Sequence, residues 1–565
     1  MSLYGSIRLA ANSLRANQIA LQVIGQNIAN AQTPGYIREE LLLSPAPTQR
    51  YGGLLLGLGV QVKGVIQRID HFLEHRLRMA VSDRASGELQ EYALVQLEGL
   101  LNELGDTDLS TALTRFFSSI SEILNQPESI SVRNLAVLQG ETLCLHIRRL
   151  ADRVEELRSH LNERVIALAD DINRLTERIR TLNIQIAEME GGDASSSDAV
   201  GLRDQRLIAL EELAQIIDIR VEEQLSGGVT VYCGGLFLVS EGVQRPVEVR
   251  FQSSGGSALA FIHLQETDSP LETTAGQLAG LLKARDEILG GFLENLNQFA
   301  RTLIFEFNRQ YSQGQGLQGY SSLISFNPVS SVQTRLDQAG LPFPVQNGSF
   351  RVMVHHPATG QTRTTVIPVR LLPGAGATTL EGLAQELDAI DGIAARVTLD
   401  GRLEIRSESP DLVFAFAEDS SGVLASLGLN TFFQGDSASN IAVNPVVKSS
   451  PATFASSLGG IGADTELAAR LAALFETPLP DQGSASLAVL YDRLVGQVAE
   501  NSSVARAMAE AARVFEQTLR SQKLAISGVN LDEEAVRLIA FQRAFQASAR
   551  YIGTLAELFN LLVNL

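Results

Sequence analysis

The chain has 565 residues, 45% of them hydrophobic, and its 64 acidic against 45 basic side chains give a formal charge of −19. That length and apolar content allow several domains with real cores and exclude a chain disordered throughout. The acidic excess leaves no basic face for nucleic acid or for an anionic membrane surface, so neither is an expected partner.

The two cysteines, Cys144 and Cys233, lie far apart, each inside an apolar pattern. They make neither a metal-ligand spacing nor a disulfide framework and read as small core residues, with one bridge between them as the alternative. Residues Met1 to Arg8 lack the basic leader and unbroken apolar stretch of a secretory signal. No run of about eighteen apolar residues marks a membrane span.

The first expected element is a helix. Leu3, Ile7, Ala10, Leu14, Asn17, Leu21, Ile24 and Ile28 follow at alternating steps of four and three, the seam of a supercoiled helix with Asn17 as its polar member. The helix is expected to end near Asn30, because Thr33-Pro34-Gly35-Tyr36 reads as a turn. Between Met1 and Tyr36 the only charged residues are Arg8 and Arg15. Amides tolerate burial between neighbours far better than charges do, so this helix expects contacts on several sides, as inside a multi-subunit wall.

His71-Phe72-Leu73-Glu74-His75 has the spacing of an inverted zinc-protease motif. Zinc chemistry needs a third ligand and a pocket holding water on the metal, and none is evident, so the segment reads as helix surface. Helical periodicity then runs over Leu89–Leu104, Leu109–Leu124 and Arg133–Glu190. In the last of these Val154, Leu157, Leu161, Val165, Leu168, Ile172, Leu175, Ile179, Leu182 and Ile186 form a sustained coiled-coil seam. At about 1.5 Å per residue that helix exceeds roughly 80 Å, which describes a rod.

Residues 217–264 alternate in period two around Gly227-Gly228, Gly234-Gly235 and Gly255-Gly256, a meander of hairpins. Long helices return over Gln277–Tyr311 and Ala485–Ile526. Gly314-Gln315-Gly316-Leu317-Gln318-Gly319 matches a dinucleotide fingerprint but follows a helix where that motif needs a strand; no cofactor is expected. Residues 326–480 read as an inserted domain. It has strands near Ser349–His355 and Thr364–Val369, the second confined to an edge by Pro368. A helix capped at Thr378 with Glu381 follows, then a hairpin of Ala395–Leu399 and Arg402–Ser407 around Asp400-Gly401.

The last element mirrors the first. Asn530 is an N-cap with Glu533 placed to close a capping box. From Leu531 a seam runs through Ala535, Leu538, Gln542, Phe545, Ala549, Ile552, Ala556, Phe559 and Val563, again in fours and threes with one polar member. Two matching seams at opposite ends suggest that they pair.

Asn27-Ile28-Ala29-Asn30-Ala31-Gln32-Thr33-Pro34-Gly35-Tyr36 resembles the N-terminal motif shared by rod, hook and hook-associated proteins of the bacterial flagellum. Ser527-Gly528-Val529-Asn530-Leu531-Asp532-Glu533-Glu534-Ala535, followed by Phe541-Gln542-Arg543-Ala544-Phe545-Gln546-Ala547-Ser548-Ala549-Arg550, resembles their C-terminal motif. Ser421–Phe433, Gly435 and Ala438–Asn444 resemble the middle of the hook-associated proteins of the hook–filament junction, the FlgK family.

The resemblance implies a structural subunit, not an enzyme, that joins hook to filament. Its fold would be mainly α with β, an elongated multidomain rod with paired terminal helices, a long-helix bundle carrying a β-hairpin subdomain, and an inserted α+β domain. The expected domains are 1–40, pairing with 531–565; a helical body over 41–325 with its meander at 217–264; the insert at 326–480; and returning helices at 481–530. Implied partners are other copies in a ring, the hook protein, the second hook–filament junction protein, a cytosolic export chaperone and the type III export apparatus. The place is extracellular, at the junction, reached without a cleaved signal. Assembly contacts are expected at Leu3, Ile7, Leu14, Asn17, Leu21, Ile24 and Ile28, and at Leu531, Leu538, Gln542, Phe545, Ile552, Phe559 and Val563, the latter helix also meeting the chaperone. The alternatives are another axial subunit, of hook or distal rod, a cytoplasmic coiled-coil scaffold and, least, a zinc hydrolase at His71 and His75.

Overall fold

The computed structural model describes residues 3–51, 54–102, 108–190, 199–254, 257–372 and 376–564. Helix makes up 56% and strand 19%, so the fold is mainly α with β. The long helices are α1 (Leu3–Asn30), α2 (His71–Asn102), α3 (Leu109–Asn125), α4 (Ile130–Glu190), α5 (Val200–Ile216), α6 (Gly290–Tyr311), α7 (Leu487–Ser527) and α8 (Leu531–Val563). Helix α2 starts well before Leu89, because the Asp70 carboxylate accepts from the Phe72 and Leu73 N–H groups at 3.0 and 3.1 Å and caps it. The expected extension to Leu104 falls outside the described residues.

The chain divides into two compact units, one of Met1–Ala93, Ser159–Arg285 and Ser503–Leu565, the other of Leu94–Arg158 and Asp286–Ser502. In the first, α1 packs beside a hairpin of Glu39–Pro45 and Val60–Gln67, with a bulge between Leu42 and Leu43. Leu73, Leu77, Ala80 and Val81 of α2 close over Leu519 of α7. Ion pairs flank that contact, Arg84 with Glu516 at 2.7 Å and Arg513 with Glu88 and Glu91 at 3.0 and 2.5 Å.

The meander forms a four-stranded antiparallel sheet, Arg220–Glu223, Val229–Cys233, Leu236–Ser240 and Val243–Gln244, and a separate hairpin of Val247–Ser254 with Ser257–Leu264. Gly227, Gly234 and Gly235 take φ of 83°, 54° and 80° at its turns; the expected turn at Gly255-Gly256 lies outside the described residues.

The heptad residues of α4 from Leu161 to Ile186 are all buried, but the helix meets strands. Asn162 accepts from Ala260 N–H at 2.7 Å and donates to the Ala258 carbonyl at 3.2 Å. Asn173 accepts from Val247 N–H and donates to its carbonyl, both at 2.8 Å. Asn183 accepts from Val229 N–H at 3.1 Å and donates to its carbonyl at 2.9 Å. A four-three repeat reports one buried stripe on a helix; it does not say what buries it.

In the second unit Asp108 caps α3, accepting from Thr111 N–H at 2.6 Å. Phe116, Phe307, Phe432 and Phe433 pack with ring centroids 4.8 to 5.5 Å apart. Residues 421–433, which carry the specific resemblance, are buried throughout. Amide side chains bind this segment to α6 and its exit: Asn308 accepts from Phe432 and Phe433 N–H at 3.1 and 3.0 Å. Asn430 donates to the Ser312 and Gly314 carbonyls at 2.9 Å. The glycines of the apparent dinucleotide fingerprint serve close packing, since a Cβ on Gly316 would stand 2.6 Å from the Ala452 carbonyl oxygen.

Two three-stranded sheets complete this unit. Gly348–His356 lies between Gln361–Val369 and Val413–Ala417, and Leu403–Ser407 lies between Ser322–Ile324 and Ile393–Val397. Pro368 is on an edge strand. The helix Leu380–Asp388 is capped by Thr379, which accepts from Gly382 N–H at 3.1 Å; Thr378 instead accepts from Arg370 N–H at 2.9 Å.

Candidate assembly site

The described side chains bring the two terminal motifs together. Helix α1 ends at Asn30, where the Thr33 N–H donates back to the Asn30 carbonyl at 2.9 Å. Gly35 follows at φ 77°, and a Cβ there would also strike Ile208 at 2.7 Å. On the other side α7 ends at Ser527. Gly528 has no room for a side chain, since a Cβ would lie 2.3 Å from the Leu524 carbonyl oxygen. Asn530 then caps α8, accepting from Asp532 and Glu533 N–H at 2.9 and 3.4 Å. The two turns join directly, Arg38 N–H to the Ser527 carbonyl at 2.9 Å.

At their meeting point Arg38 is 3% exposed and Glu534 fully buried. One carboxylate oxygen, Glu534 Oε1, accepts from both Arg38 Nε at 2.9 Å and Nη2 at 2.5 Å, leaving Oε2 for Asn27. Glu533 takes Arg38 Nη1 at 2.9 Å, so the carboxylate placed for a capping box serves the ion pair. Asn27 donates to Glu534 at 3.3 Å and to the Glu39 carbonyl at 2.9 Å, and accepts from Tyr36 Oη at 2.9 Å and Glu39 N–H at 3.0 Å. Every polar atom of the Asn27 side chain is therefore used, although the residue is 1% exposed. Burial, before the nearby carboxylates, pushes the Tyr36 phenol well above its usual range.

Asp204 lies beside this cluster and accepts from Gln67 Nε2. Burial pushes its carboxyl up to about 7; the Ile37 N–H and Gln67 oppose the shift and Glu39 adds to it. The folded chain therefore holds a proton that the unfolded chain has released between about pH 4 and pH 7, and stability falls as pH rises through that window. Asp204→Asn is expected to match the parent's melting temperature near pH 5 and to exceed it near pH 8. An equal difference at both pH values in a thermal melt would rule this out.

Helix α8 runs antiparallel to α1, with Asn17 donating to Ser548 at 3.4 Å and Asn27 to Glu534 at 3.3 Å. Of the expected N-terminal contacts, Ile24 is buried; Ile7, Leu14, Asn17 and Leu21 are half-buried, and Ile28 is exposed. The Leu3 side chain lies outside the described ones. On α8, Leu538, Phe545 and Ile552 are half-buried, while Leu531, Gln542, Phe559 and Val563 are exposed. The positions between them that turn inward are Phe541, Ser548 and Leu555, each one residue before Gln542, Ala549 and Ala556. A seven-residue spacing is common to both stripes. The small Ser548, which can meet Asn17, is the polar partner within this chain, and Gln542 stays outside.

The remaining expected positions have other surroundings. Glu74 pairs with Lys523 at 2.8 Å, away from a metal role with His71 and His75. Cys144 and Cys233 are free and buried, their thiols pushed up to about 12 by that burial.

Three family profiles match along the chain. Residues 94–323 match the flagellar hook-associated protein FlgK helical domain, residues 520–565 the flagellar basal body rod FlgEFG protein C-terminal segment, and residues 7–36 the flagella basal body rod protein. The chain is 24% identical to flagellar hook-associated protein 1 of Escherichia coli (strain K12) over 99% of both chains. It is 23% identical to flagellar hook-associated protein 1 of Bacillus subtilis (strain 168), over 100% of this chain and 98% of that one. Along nearly its whole length the chain is similar to the FlgK family of flagellar hook-associated proteins. It is a structural component of the flagellum. The fold agrees with a solved structure of the flagellar hook junction protein FlgK from Burkholderia pseudomallei, at TM-score 0.51 and 16% identity over 80% of this chain and 100% of that one.

Asn27, Tyr36 and Glu534 lie inside the two terminal motifs, but neither periodicity nor spacing assigns a role to them or to Arg38. A signal was present: Arg38 is the first cation after the motif turn, and Asp532-Glu533-Glu534 is an acidic triplet opening the last helix.

Proposed function

We propose that this chain forms a ring of its own copies at the hook–filament junction, between the hook protein and the second junction protein. It leaves the cytoplasm through the flagellar type III apparatus without a cleaved signal, after a cytosolic chaperone has held α8, and it performs no catalysis. In the ring α1 and α8 face the axial channel, the body of long helices lies outside them, and the 326–480 insert faces solvent.

One observation carries this reading. Glu534 of the C-terminal motif is held by Asn27 of the N-terminal motif and by a buried ion pair with Arg38 just beyond it, yet α8 keeps Val536, Ile539, Leu558, Phe559, Leu561 and Val563 at 51 to 69% exposure. A stripe of that kind on a single chain is a surface for neighbours. Assembly then covers it, and folding of the ends is completed there.

The test is genetic and structural together. A strain lacking the chain is expected to build hooks without filaments, and the returned chain to be found as a band at the hook tip. Loss of the hook itself would indicate a rod or hook subunit. In hydrogen exchange on the isolated chain, peptides over residues 1–40 and 531–565 are expected to exchange fast around a protected middle, and to slow in isolated hook assemblies. Equal protection in both states would sink the assembly-coupled part of the reading.

A further inference from the structure

Helix α2 carries an arginine whose surroundings the terminal pair does not explain. Arg78 is 8% exposed, and its Nε has no hydrogen-bond partner. No carboxylate among the described residues forms an ion pair with it. The carboxylates that favour its charge are Glu74 and Glu211, and both are engaged elsewhere. Glu74 binds Lys523 at 2.8 Å, and Glu211 binds Arg520 at 2.7 Å.

Arg78 also lines an open cleft of about 620 Å³ with His75, Ser82, Asp83, Asp218 and Glu222. The carboxylates there do not serve it. Asp218 accepts from Thr274 N–H at 3.1 Å and from Thr274 Oγ1 at 3.0 Å, and Glu222 pairs with Arg220. Asp83 is exposed and makes no ion pair with the guanidinium. The Arg78 Nε is shut away with no acceptor while the guanidinium borders the cleft, and the fork geometry of that group selects a carboxylate above other acceptors.

We propose that this cleft is an intersubunit socket in which Arg78 receives an aspartate or glutamate carboxylate from a second copy of the chain. The inference rests on the ring reading above and names one of its contacts. A second copy suits the chemistry, since each chain carries 64 acidic against 45 basic side chains and has carboxylates to offer. The socket lies in the compact unit that also holds both terminal helices.

The experiment compares the parent chain, Arg78→Met and Arg78→Lys, each returned to a strain lacking the chain. Arg78→Met removes a buried charge that no carboxylate binds directly while keeping roughly the length of the side chain. The purified variant is expected to melt at or above the parent's temperature, yet to lower filament number about tenfold or more. A lowered melting temperature would mean that Arg78 serves the fold of the single chain, and full restoration of filaments would mean that it serves nothing in assembly; either overturns the socket. Arg78→Lys places an amine in the same cleft. Carbodiimide treatment of isolated hook assemblies from that strain is expected to join position 78 of one copy to an Asp or Glu of another. A link to a different protein, a link within one chain, or no link refutes the proposal. Failure of the parent chain itself to restore filaments would instead strike the ring reading, and the socket with it.

Discussion

Replacing Glu534 by alanine is expected to weaken the anchoring of the C-terminal helix by about 3–5 kcal/mol, because it leaves Arg38 buried beside a single carboxylate at the solvent edge. Glu534 is fully buried and Glu533 is 58% exposed, so the remaining partner cannot replace the lost one. Asn27 would lose an acceptor as well, and with it part of the contact between the end of α1 and the start of α8. The measurement is hydrogen exchange over residues 531–565 together with urea unfolding of the same variant. The double variant Arg38→Met with Glu534→Met separates charge from packing. It is expected to recover most of the loss, since two apolar side chains of similar length leave no charge unpaired. A single Glu534→Ala change costing under about 1 kcal/mol would place the anchoring elsewhere.

The second large effect lies in the other compact unit. Phe116→Ala should destabilise that unit by about 3–5 kcal/mol, the usual range for removing a fully enclosed ring. Phe116 is 0% exposed and meets Phe117, Phe307, Phe432 and Phe433 at 5.1 to 5.5 Å. It therefore supports residues 421–433 from below, and loss of the ring leaves a void that those well-tied neighbours cannot readily close. Peptides over residues 421–444 are expected to exchange faster in the variant, while those over residues 531–565 keep the parent's rate. Equal acceleration in both places would show that the two compact units unfold as one.

The helices were legible because their burial is written in their own residues. The heptad positions of α4 and the turn after Asn30 needed only local sequence, and the structure holds both. Strands Ser322–Ile324 and Val413–Ala417 went unread because they are short and find their partners far along the chain. The helix cap at Thr379 in place of Thr378 has a simple cause. Both threonines lie next to the helix, and the full burial of Leu380 and Leu383 sets its phase. The Arg38–Glu534 pair spans 496 residues, a separation at which no periodicity connects the two side chains. Motif likeness put both neighbourhoods in view; only coordinates show which side chains in them touch. On α8 the expected positions Leu538, Phe545 and Ile552 are half-buried while Leu531 and Phe559 are exposed, and Ser548, not Gln542, is the residue that meets the amide of Asn17 on α1.

Three of the asparagines of α4 bear on how such a molecule avoids joining itself wrongly. A bare strand edge is a template on which any extended chain can grow sideways. Asn162, Asn173 and Asn183 each offer an amide that imitates the peptide of a neighbouring strand, and each occupies both an N–H and a carbonyl at a strand. Asn162 and Asn173 meet the outer edges of the hairpin of Val247–Ser254 and Ser257–Leu264, which makes it a poor starting point for a fibril, while Asn183 ties down the start of an inner strand. At this hairpin, where sideways growth would have no natural stop, α4 already occupies edge groups that a further strand would need.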